Sequence, residues 1–70
     1  MTPAFLVTHE QLGDHVHLRF FSARTPGAQW QHLGVLITGE AEWIQLRLLL
    51  ELGAIKAGAD YRLEIRERER

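Results

Sequence analysis

Two of the chain's four histidines stand one residue apart in "HVHLRFF", His15 to Phe21. Alternate side chains of a β-strand share a face. His15 and His17 would then point the same way, an arrangement suited to two imidazoles on one ion. Glu10 adds a carboxylate if the preceding strand places it opposite His15, and Asp14 in the intervening turn could rotate in. A small metal-binding domain using His15, His17 and Glu10 is therefore one reading. A simpler one makes these residues the solvent face of a strand, with Glu10–His15 as a cross-strand pair. In a third, His15, His17, Arg19 and Phe21 form a contact surface for a partner. We expect no bound metal and no cofactor, and keep the metal domain as an alternative.

Other catalytic chemistry finds little support. Ser22 is the single serine, and no G-x-S-x-G elbow surrounds it. Cysteine is absent, which removes disulfides, thiolate ligands and a cysteine nucleophile. The acidic residues fall where solvated groups are expected: in the first turn of a helix, on its polar gap and in a charged tail. A phosphate-binding loop and a G-x-G-x-x-G turn are both missing. The expectation is a protein that is not an enzyme.

Length narrows the choice further. Seventy residues, 46% hydrophobic and 24% charged, make one globular domain spanning residues 1–70. A core of this size supplies roughly 3–5 kcal/mol, so such domains tend to need a metal, a disulfide or a partner. Net charge is −1 with one lysine, unlike a general nucleic-acid binder. No stretch approaches the ~20 apolar residues of a membrane span, and "MTPAFLVTHE" lacks the basic start of a signal peptide. The chain reads as a small, complete, cytoplasmic protein with no membrane partner.

The elements follow from periodicity. "AFLVTHE" and "HVHLRFFS" read as strands joined by a "QLGD" turn. Side-chain alternation favours a register in which Phe5 faces Phe20, Val7 faces Leu18 and His9 faces Val16. Leu6–Arg19, Thr8–His17 and Glu10–His15 then share the other face. After the turn-rich "ARTPGAQ", "WQHLGVLIT" reads as a third strand. Leu33, Val35 and Ile37 take one face; Trp30, His32, Gly34 and Leu36 take the other. Gly34 suggests a bulge. "TGEAEWIQLRLLLELG" reads as a helix with Thr38 or Gly39 as N-cap, acids in its first turn and Gly53 as C′ residue. "AIKAG" leaves that end open. "DYRLEIRERER" alternates: Tyr61, Leu63 and Ile65 in, Arg62, Glu64 and Arg66 out. The "RERER" tail reads as a solvated edge that discourages sheet-to-sheet aggregation.

The order β-β-β-α-β predicts a two-layer α+β fold, one helix on a four-stranded mixed sheet. A right-handed crossover brings the fourth strand parallel to the first and third. Sheet order 4-1-2-3 is preferred over 1-2-3-4, since it lets the helix lie across the middle of one face.

The helix is apolar on too many sides. Trp43, Leu46, Leu49, Leu50 and Gly53 form one stripe; Ile44, Leu48 and Leu52 form a second, well away from it. Loops, the N-terminus or "AIKAG" could cover the second stripe. A second copy or a target protein could do the same, and we expect a homodimer interface at Ile44, Leu48 and Leu52. Trp43 is assigned to the core, and Trp30 to a partner contact.

The expected function is a small protein-binding module, an inhibitor or modulator that occupies the surface of a larger protein, as phages and other mobile elements encode. A nucleic-acid-binding or regulatory dimer using the His15/His17/Arg19 face is the alternative from another class.

Overall fold

Gly13 and Asp14 alone separate the first two strands, β1 (Ala4–Leu12) and β2 (His15–Ala23). Gly13 has φ +63°, matching the positive φ that a type II′ hairpin needs at its first central position. The computed structural model describes residues 2–68. In it β3 (Gln31–Gly39) pairs antiparallel with β2, and β4 (Arg62–Glu67) pairs parallel with β1. The sheet order is β3-β2-β1-β4. One helix, α1 (Glu40–Ala57), connects β3 to β4. This is the expected two-layer β-β-β-α-β fold, with the preferred strand order.

The tight turn corrects the hairpin register. Val7 faces Phe20, His9 faces Leu18 and Gln11 faces Val16. The strands are slid by two residues relative to the expected pairing, because the turn uses two residues instead of four. A two-residue slide keeps every side chain on its expected face. Val7, Val16 and Leu18 accordingly lie in the core with Trp43, and Phe20, Leu46, Leu50, Leu63 and Ile65 pack around them.

β3 departs from plain alternation. Phe20 pairs with Gly34 and Phe21 with His32, so Leu33 is an extra residue in a bulge. Beyond the bulge, Leu36 lies opposite Leu18 on the helix side, and Val35 and Ile37 lie opposite Arg19 and His17 on the other. His32 joins that second side, since the bulge shifts the phase by one; its expected place beside Leu36 was wrong.

Both helix ends have clear causes. Gly39 is the N-cap, and the Glu42 carboxylate occupies the space where its β-carbon would stand. Glu40 and Glu42 sit in the first turn, against the positive end of the helix dipole. The C-terminus lies past Gly53, at Gly58. Its φ of 61° lets its N–H donate back to the carbonyls of Ala54 and Ile55. Gly53 stays helical; a β-carbon there would stand 3.4 Å from the Tyr61 hydroxyl, in ordinary contact. Tyr61 itself meets Phe5 edge-on at 5.5 Å.

Trp43 is the single helix residue among the seven buried apolar side chains of the described residues. Trp43→Ala should cost about 3–5 kcal/mol, comparable with the whole stability of so small a core, and leave the chain largely unfolded by circular dichroism. Thr38 gives the opposite prediction. Its buried hydroxyl has no hydrogen-bond partner among the described residues. Thr38→Val keeps the shape and removes that cost, so it should add about 1 kcal/mol and raise Tm by roughly 4–8 °C in thermal melts.

Candidate functional site

α1 covers one face of the sheet and leaves the other bare. The bare face, which no helix covers, carries His15, His17, Arg19 and Phe21 from β2, Leu6, Thr8 and Glu10 from β1, and Val35 and Ile37 from β3, and its own side chains bury Ala4, Leu6 and Ala23. β4 adds Arg62, Glu64 and Arg66, opposite Ala4, Leu6 and Thr8. Phe21 and His32 stack edge-on at 5.3 Å. Arg66 Nε donates to the Glu64 carboxylate at 2.8 Å. The face is thus a mixed one: aliphatic at the β3 edge, aromatic beside it, and charged toward β4. Of the "RERER" tail, Glu69 and Arg70 lie outside the described residues.

The metal reading loses its geometry. In the observed register Glu10 faces His17, and His15 faces Leu12. The expected Glu10–His15 pair is displaced by the two-residue turn. Among the described residues, no three histidines or carboxylates gather closely enough to hold an ion.

His9 lies on the helix side, with its ring 5.1 Å from that of Trp43. Burial lowers its pKa, the Arg47 guanidinium lowers it further, and Glu67 partly opposes them. Arg47 lies on one flank of α1, within electrostatic reach of His9 on β1. Leu49 lies about 160° round the helix from Arg47 at 3.6 residues per turn, on the opposite flank.

Trp30 is half-buried at the entrance to β3. It borders an open cleft of about 790 Å³ at the end of the sheet, shared with Phe5, Pro26, Ile55 and Tyr61.

The largest feature is apolar. Among the described residues nine large aliphatic side chains are exposed, and all lie on β3 or α1. On α1, Ile44, Leu48, Leu49, Leu52 and Ile55 range from 53% exposed at Leu52 to 77% at Ile55. The second stripe is therefore not covered by the chain's own loops or by "AIKAG". Leu49, expected in the core stripe, is 66% exposed, because the helix packs through Trp43, Leu46 and Leu50 and turns that flank outward. Ile55 joins the stripe because the helix, whose end "AIKAG" leaves open, continues to Ala57; its spacing of three from Leu52 is the available signal. On β3, Leu33, Val35, Leu36 and Ile37 are 45–59% exposed. The preferred order 4-1-2-3 puts β3 at the sheet's edge, and no strand lies beyond it among the described residues.

One pH effect follows from His9. Between its ordinary value of 6.5 and its lower value in the fold, the unfolded chain takes up a proton and the fold does not. Stability fully present above pH 6.5 is lost as pH falls through the folded value. Melts from pH 7.5 to 5 should show Tm falling, and His9→Gln should flatten that fall.

No helix of the described residues is long and apolar enough to cross a membrane. Compared with known proteins, the chain matches no family model, no curated protein and no solved structure.

Proposed function

We propose that this chain is a non-catalytic protein-binding module that acts by occupying part of a larger protein, in the manner of small inhibitors encoded by phages and other mobile elements. The observation that carries this reading is β3. It is a nine-residue edge strand, "QHLGVLITG", with no Lys, Arg, Asp, Glu or Pro. An edge strand offers a row of unpaired backbone N–H and C=O groups, and proteins usually blunt it with charge or proline. Here the one blunting device is the bulge at Leu33, and Gly34 to Gly39 run regularly beyond it. Four large aliphatic side chains flank that backbone on both faces. The fitting partner is an extended segment or edge strand of another protein, added to β3 by backbone pairing. Its side chains would meet Leu36 on one side and Val35 and Ile37 on the other. A partner reaching over the bare face would also touch Phe21, His15, His17 and Arg19, and Trp30 lies at the start of the same strand.

A second reading, single-stranded nucleic acid on the bare face, is favoured by Arg19 beside the Phe21–His32 ring pair, with Arg62 and Arg66 on the far side of β1. It predicts binding that weakens steeply with salt.

The test is a pull-down from the native host with wild type and Ile37→Lys, followed by titration of the captured protein. Ile37 is exposed and lysine is a natural edge residue, so the fold should persist with an unchanged melt. Ile37→Lys should weaken binding by about tenfold or more. Equal affinity of the two proteins would rule β3 out as the docking strand.

A further inference from the structure

We infer that the outer face of α1 is the interface of a homodimer in which two helices pack antiparallel, sandwiched between two sheets. This goes beyond the docking role of β3 and uses a different surface. Ile44, Leu48, Leu52 and Ile55 lie within an arc of about 80° on the helix, diametrically opposite the sheet-facing side. The stripe reads Ile-Leu-Leu-Ile from either end. A two-fold axis near residue 50 therefore sets Ile44 against Ile55 of a second copy, and Leu48 against Leu52. Such a pattern is self-complementary, as a two-fold interface must be.

Charge selects the antiparallel arrangement. Arg47 and Glu51 pair at 2.9 Å along one flank of the stripe. A two-fold between antiparallel helices keeps that flank on the same side in both copies. Arg47 of one then comes level with Glu51 of the other, twice over. The acidic first turn, Glu40 and Glu42, also approaches the basic last turn, Lys56. Parallel packing would bring the two acidic ends together. Exposed pairs contribute little affinity, so they select direction while the aliphatic stripe supplies the attraction.

The surface exposed by the helix face and the β3 edge together is large for a chain of this mass. The chain exposes 5229 Å², which exceeds by roughly 700 Å² the ~4,500 Å² expected of a folded monomer of its mass. A standard interface removes about 800 Å² from each partner.

The full chain tests this directly. Sedimentation equilibrium at tens of micromolar should show a dimer. Leu48→Glu should raise its dissociation constant by about a hundredfold or more, since the change enters the interface twice. Ile37→Lys should leave the dimer intact, which separates this proposal from the docking role of β3. The chain has no cysteine, so introduced ones report cleanly even if Leu48→Glu fails to fold. A short bismaleimide should join Ile44→Cys to Ile55→Cys in a mixture of the two variants, and join neither to itself. The proposal is overturned by a monomeric wild type, or by Ile44→Cys linking to itself. It is equally overturned if Ile37→Lys, and not Leu48→Glu, gives the monomer, because the second copy would then sit on β3.

Discussion

Trp43 against Val7, Val16 and Leu18 is the contact on which the rest of the molecule depends. It is the one place where α1 is fully anchored to the sheet. Half-buried Leu46 and Leu50 extend the contact along the helix, and Leu63 and Ile65 extend it across the sheet to β4. With one anchor, the helix lies over the middle strands and leaves both its outer side and the β3 edge open. The surplus of exposed aliphatic surface is thus a geometric consequence. One helix of 18 residues cannot cover a four-stranded sheet and also hide its own far side.

This geometry accounts for a small domain with two unlike uncovered surfaces. The helix face is flanked by the Arg47–Glu51 ion pair and its apolar pattern is symmetric along its length. The β3 edge is uncharged and carries free backbone groups. Hydrophobic burial against another chain would stabilise either, and a core of this size has little stability in reserve. The polar bare face, with its histidines and arginines, borders the second surface and not the first.

Much of this was legible from residue types. The order of elements followed from periodicity, and strand order 4-1-2-3 from placing one helix over the sheet's middle. The alternation in Leu63 and Ile65, the bulge suggested by Gly34, and the second apolar stripe at Ile44, Leu48 and Leu52 all follow local pattern. Pairing was less legible. The hairpin slid by two residues because alternation leaves such a slide undetermined; only the turn decides it. That slide removed the Glu10–His15 pair and with it the geometry of a metal site. Gly53 and Gly58 both suit a helix end by residue type. The choice rested on the backbone turn at Gly58.

The amino-acid sequence alone determined which faces are apolar, because side-chain period is a property of each strand and helix by itself. "HVHLRFF" therefore split as its alternation required, with Val16, Leu18 and Phe20 inward and His15, His17, Arg19 and Phe21 outward. Tertiary structure alone decided which apolar faces stay uncovered. Burial depends on where β3 falls in the sheet and on which side of α1 meets Trp43's neighbours. Those are relations between elements distant in the chain, and no local pattern encodes them.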